Sequence, residues 1–96
     1  MKYQNDVTIE GVVSELERPL ESAVSFYLVH TLLFLNDGSG GRDIKILVVH
    51  VGKRNDKIEN GRRVTVRGYI TQSSNEHIYI HANSIIVEPK EKHIKP

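Results

Sequence analysis

The 96 residues are enough for one domain and no more, burying roughly 60–65% of the unfolded chain's surface in a single core. There is no cysteine, which excludes disulfides and thiolate metal sites, and no apolar run of signal-peptide or membrane-spanning length, which points to a cytoplasmic protein. The net charge of +1 conceals a dipole: residues 1–37 carry two basic and six acidic side chains, a net of −4, and residues 38–96 eleven basic and six acidic, a net of +5. Between residues 42 and 67, Arg42, Lys45, Lys53, Arg54, Lys57, Arg62, Arg63 and Arg67 stand against only Asp43, Asp56 and Glu59. Such a patch either attracts a polyanion or is plain solvated surface.

In chain order, residues 6–17 read as a long curved first strand, with Val7, Ile9, Gly11 and Val13 in one phase and Leu16, after a bend, supplying the other. Residues 17–22 read as a loop because Pro19 cannot donate to a ladder. Residues 24–36 are apolar in both phases. Their β-branched and aromatic content favours a second strand over a helix, and the run Asn36-Asp37-Gly38-Ser39-Gly40-Gly41 closes it as a hairpin turn. Residues 42–51 return as the third strand, with Ile44, Ile46 and Val48 inward and Lys45, Leu47, Val49 and Val51 outward. The polar interval 52–60, with Ile58 alone apolar, has the length of a short helical segment.

The fourth strand, 61–71, alternates cleanly: Val64, Val66 and Ile70 inward, Arg63, Thr65, Arg67, Tyr69 and Thr71 outward, with Gly68 interrupting the inward row as at a bulge or barrel corner. Residues 7–13 repeat this pattern, matching 64–70 in residue class at six of seven positions, Glu10 against Arg67 being the exception. After a loop at 72–76, a fifth strand over 77–87 puts Ile78, Ile80 and Ala82 inward and His77, Tyr79 and His81 outward. Residues 89–96 form a charged tail beyond a core of about 6–88. The chain is thus all-β: a five-stranded Greek-key barrel of the OB-fold type, with a short helical segment between strands three and four.

Three segments carry a family resemblance: Phe34-Leu35-Asn36-Asp37-Gly38-Ser39-Gly40, the Gly-x-x-Val-x-Val-x-Gly strand from Gly61 to Gly68, and the Ile-x-Ala-x-x-Ile closing strand from Ile80. The chain resembles OB-fold nucleic-acid-binding domains of the anticodon-binding and replication-protein-A type over residues 6–88. The resemblance implies a binding surface on the outer face of strands two and three, flanked by the loops after strands one and four. Phased from the hairpin, that surface takes His30, Leu32, Phe34 and Asn36 outward and Leu33 and Leu35 inward. Phe34, His30, Tyr69, Tyr79 and Phe26 are candidates to stack bases, with His81 on the same face as Tyr79. Arg42, Lys45, Arg63 and Arg67 are candidates to track phosphates. Core packing for Phe26 and Phe34, and sheet stabilisation for Tyr69 and Tyr79, stay open beside these roles. Leu47, Val49 and Val51 in succession depart from an open nucleic-acid platform and suggest a protein interface, self-association or cover by another part of the chain.

No constellation points to catalysis or to a cofactor. His77 and His81 lie roughly 13 Å apart along a strand, too far to share a metal, no serine sits on a nucleophile turn, and no carboxylates converge. The reading is a non-enzymatic protein without metal or cofactor. It binds single-stranded nucleic acid, DNA in preference to RNA, with low sequence specificity as in replication or repair; the alternative is a protein-interaction subunit of a nucleic-acid-processing assembly.

Overall fold

The computed structural model describes residues 4–33 and 40–89. Five strands, β1 (Val7–Leu20), β2 (Ala23–Leu33), β3 (Gly41–Val51), β4 (Arg63–Gln72) and β5 (Ile78–Val87), close into a barrel in the order β1-β2-β3-β5-β4. All neighbours are antiparallel except β3 and β5, which run parallel through Val48↔Ile80, Val49↔His81 and His50↔Ala82. No helix long and apolar enough to cross a membrane occurs among the described residues.

Alternation decides which side chains fill the barrel. Val13, Val24, Phe26, Leu28, Val48, Val64, Val66, Ile80 and Ala82 are buried, and Val7, Ile9, Leu16, Ile46, Ile85 and Val87 pack partly buried against them. Each full burial of a Val, Leu, Ile or Phe is worth about 1.5–3 kcal/mol, so this row is the main source of stability. The repeated motifs turn out to be partners. β1 and β4 pair with Val7 opposite Gly68 and Gly11 opposite Val64, so the first position of each motif faces the fifth of the other. Both glycines are required by close approach. A Cβ on Gly68 would overlap the His81 carbonyl oxygen and sit 2.9 Å from Ala82 Cα, and one on Gly11 would overlap the Val29 carbonyl oxygen and sit 2.9 Å from Leu28 Cγ.

Several expectations are corrected. β1 does not end at residue 17 but continues through Pro19 to Leu20, with register shifts between Ser14 and Glu17 and between Glu17 and Leu20. Glu15 takes a positive φ of 53° at the first of these irregularities, and Pro19 is tolerated because it has no ladder partner across from it. The phase of β2 is the reverse of that expected beyond residue 29. By alternation His30 and Leu32 fall in the row of Val24, Phe26 and Leu28, which faces the core, although Leu32 at the strand's end is 42% exposed, and Tyr27, Val29 and Thr31 form the outer row. Phe26 is therefore a core residue.

No helix forms between β3 and β4; residues 52–62 take turns and bends instead. Side chain and backbone bonds hold this segment: Asn55 Oδ1 accepts from Lys57 N at 3.0 Å, Arg18 Nη2 donates to the Asn55 and Ile58 carbonyls at 3.0 and 2.9 Å, and Asn60 Oδ1 accepts from Leu16 N at 2.9 Å. These tethers press Ile58 into the end of the barrel as a buried plug. One turn of helix would gain few bonds of its own against its nucleation cost, so long-range partners win. The hairpin turn at 36–39 and the tail from residue 90 lie outside the described residues, as does Phe34.

Candidate functional site

The outer face of the barrel is legible from register. One row crosses four strands as Ser25, Val49, His81 and Tyr69, each directly opposite the next. The adjacent row runs Ser14, Tyr27 and Leu47, and on β5 and β4 it resumes with Tyr79 opposite Thr71. A third row holds Val12, Val29 and Lys45. The β-bulge between Arg67 and Gly68, which leaves Asn83 without a Cα partner, sets Tyr69 opposite His81. The two rings stack with centroids 5.0 Å apart and planes inclined by 29°. An offset pair of this kind adds about 0.5–1.5 kcal/mol beyond the area it buries and fixes both rings in one orientation.

Between Leu47 and Tyr79 the sheet opens. β3 and β5 diverge above Val48 and Ile80, leaving a cleft of about 790 Å3. Its floor is made by inward-phase aliphatics, among them Val7, Ile9, Ile46 and Ile80, and its rim includes Tyr27, Lys45 and Tyr79. Ile70 and Ile78 line the same mouth and remain 47% and 68% exposed, although both belong to the core-facing phase. The barrel is therefore apolar but uncovered at this end, with one tyrosine on each side of the opening.

The cations are less available than the sequence suggests. Arg63 lies 3.2 Å from Glu10 and 3.5 Å from Glu88, and Lys45 lies 3.2 Å from Glu15. Arg62 is 3.3 Å from Glu59 and also donates to the Glu88 carbonyl at 2.8 Å; Arg54 is 2.6 Å from Asp56. The hydrogen bond from Arg54, and then its charge, hold the Asp56 carboxyl below the usual carboxylate range. Arg42, Lys53, Lys57 and Arg67 have no ion pair among the described residues. Arg67 alone of these stands on the aromatic side of the outer face, above a shallow depression of about 460 Å3 lined also by Thr8, Asn83 and Ser84, with Asp6 at its margin.

The sequence-derived candidates thus divide. Tyr69, His81, Tyr79 and Arg67 come together on one part of the outer face. Lys45 and Arg63 are on that face but engaged by carboxylates, and Arg42 lies at the far end of β3 opposite Leu32. His30 leaves the group: its Nδ1 is 2.6 Å from the Glu10 carbonyl oxygen, tying β2 to β1. His50 pairs with Val24 and His30 with Ile44, so the two histidines lie six pairs apart along the β2–β3 ladder. Tyr27 and the exposed Ile70 and Ile78 were not anticipated as site residues. The alternation Val24, Phe26, Leu28 would have found Tyr27, because a residue between such neighbours must point outward. Of the proposed protein-interface residues, Leu47 and Val49 are half-buried within the aromatic rows, while Val51 is 59% exposed opposite Ala23, whose other neighbour, Leu20, is 67% exposed.

No protein-family model and no curated protein sequence matches the chain. Solved structures do. The N-terminal domain of PriB from Thermoanaerobacter tencongensis, described as dimeric, matches with a TM-score of 0.60 and 20% identity over 90% of this chain and 98% of that one. An SSB from Plasmodium falciparum in complex with ssDNA matches with a TM-score of 0.68 and 14% identity, covering 93% of this chain and 98% of that one. The SSB domain of a Synechococcus protein matches with a TM-score of 0.53 and 12% identity, covering 90% and 98%. At these identities the likeness is one of fold, and with the closed five-stranded order of its sheet it identifies this chain as an OB-fold barrel.

Proposed function

We propose that the protein binds single-stranded nucleic acid, DNA in preference to RNA, with little sequence preference and mainly by stacking. The observation that carries this is the aromatic outer face: Tyr27 and Tyr79 flank an apolar cleft, and beside them the ordered Tyr69–His81 stack adjoins Arg67, which has no ion pair among the described residues. Any base offers a π-face, so stacking on such rings supplies about 1–3 kcal/mol per base without reading sequence. The fold-mate from Plasmodium falciparum that carries ssDNA supports the choice of ligand. On this reading the strand order reflects Greek-key connectivity, the role is binding without catalysis in replication-related metabolism, and the protein works in the cytoplasm without cofactor or metal.

A second reading rests on the apolar patch of Leu20, Ala23 and Val51 at the other end of β2, which suits a protein partner of a nucleic-acid-processing assembly. Chemical-shift mapping with a short oligothymidine at about 50 mM salt tests the first against the second. The binding reading expects shifts at Tyr27, Tyr79, His81, Tyr69 and Arg67. Absence of shifts anywhere overturns it and leaves the protein-partner reading; shifts confined to Glu10, Arg63 and Glu88 overturn the assignment of the face.

A further inference from the structure

β3 has two edges with unequal company. Along one it pairs with β2 over its whole length, from Gly41 opposite Leu33 to Val51 opposite Ala23. Along the other it meets β5 only at Val48, Val49 and His50. Among the described residues, the second edge of residues 41–47 therefore has no strand beside it. Unpaired N–H and C=O groups on a straight edge are a template for another strand, and proteins ordinarily blunt such edges with proline, a bulge or a run of one charge. This segment, Gly41-Arg42-Asp43-Ile44-Lys45-Ile46-Leu47, has none of these; its register with β2 is uninterrupted and its charges alternate in sign.

We propose that the protein forms a homodimer through this edge, residues 41–47 of two copies pairing antiparallel with Ile44 on the two-fold axis. The charge pattern selects that register. Keeping the outer faces of the two copies continuous requires opposed residues of like parity, because side chains alternate between faces. Centring on Asp43 opposes two aspartates, on Lys45 two lysines, and on Arg42 two arginines, all unfavourable across a strand pair. Centring on Ile46 opposes Lys45 to Leu47 and forms no charge pair. Centring on Ile44 opposes Asp43 of each copy to Lys45 of the other, twice by symmetry, and stacks Ile44 on Ile44. It also lays the aliphatic stem of Arg42 over Ile46 of the second copy.

The groups already facing these charges are compatible. Lys45 keeps Glu15 at 3.2 Å on one side and gains an aspartate on the other, and Asp43 still accepts from Thr31 Oγ1 at 2.7 Å. The incoming strand runs along the side of β3 that opens into the cleft, where Ile46 is only partly covered and Ile78 is exposed. The partner strand borders the cleft that Tyr27 and Tyr79 flank, so dimerisation narrows the mouth of the proposed stacking face, and sedimentation of the unliganded chain reads the dimer by itself.

Sedimentation equilibrium on the full chain, with circular dichroism as a check on folding, tests the register. Wild type is expected at twice the 10.9 kDa chain mass. Asp43→Lys and Lys45→Asp should each weaken dimerisation about tenfold, since each turns two attractive cross-strand pairs into repulsive ones. The double variant D43K/K45D should recover to within about threefold of wild type. Both positions are exposed, so the fold is expected to hold. A monomeric wild type at about 0.2 mM, single variants that dimerise like wild type, or a double variant as weak as the singles would each overturn the proposal. An independent reading uses the absence of native cysteine. Ile44→Cys should oxidise readily to a disulfide-linked dimer, because directly opposed Cα atoms in an antiparallel pair lie about 4.5–5.5 Å apart, within disulfide reach. No faster cross-linking than a Val51→Cys control contradicts it.

Discussion

Two parts of the same outer face differ in how their polar groups are used. Where β1 meets β4, Glu10, Arg63 and Glu88 form a three-membered ion-pair cluster, and across β2 Glu15 holds Lys45. Where β4 meets β5, the side chains are Tyr69, His81 and Tyr79, with Arg67 unpaired among the described residues. The first region is electrostatically self-satisfied: a phosphate arriving there must compete with carboxylates already within 3.2–3.5 Å. The second has rings held in place and a guanidinium without such competition. Counting positive charges along the chain therefore misjudges where a polyanion would bind, because a cation engaged by its own carboxylate offers little net attraction.

Four substitutions probe the two regions separately. The largest effect is expected from Gly68→Ala, which forces a methyl into the His81 carbonyl and Ala82 Cα at the bulge; a loss of about 3 kcal/mol in a denaturant titration is predicted, with the aromatic region disordered first. Next comes Tyr69→Ala, which removes one ring of the stack and should weaken oligothymidine binding about tenfold, read by fluorescence anisotropy, while leaving the slope against salt unchanged. Arg67→Ala should cost several-fold in affinity and lower the magnitude of that slope by about 0.7, the share of one phosphate contact on a single strand. Smallest is Arg63→Ala: affinity should change by no more than about twofold, because the side chain is committed to Glu10 and Glu88. A tenfold loss there would mean that the cluster opens on binding, and the contrast would fall.

Much of the fold was legible in the sequence because alternation survives wherever one face of a strand is buried. The inward row of β3 and the glycine in β4 both followed from it, and the kinship of the two glycine motifs proved to be a pairing, Val7 against Gly68 and Gly11 against Val64. β2 was misread beyond its centre because its phase was taken from the hairpin turn instead of from Val24, Phe26 and Leu28. A strand apolar on both faces gives no contrast with which to correct such an error, and a slip of one residue exchanges every side chain between faces. The end of β1 and the turns after β3 were hidden for another reason. Near the end of β1 Leu16 N–H donates to Asn60 Oδ1 and Arg18 donates to the Ile58 carbonyl, contacts between residues some forty positions apart. The same distance in sequence concealed the ion pairs: Glu10 and Arg63 are 53 residues apart, and no local pattern marks them as partners.

A face that binds by stacking with few phosphate contacts loses little affinity for oligothymidine as salt rises, and a salt titration of the wild-type protein reads this. With Arg67 the one cation beside the rings that has no ion pair among the described residues, the slope of log K against log salt should be about −0.7. A slope of about −2.8 or steeper, as expected if Arg42, Lys45, Arg63 and Arg67 all met phosphates, or no binding at about 50 mM salt, would contradict the account.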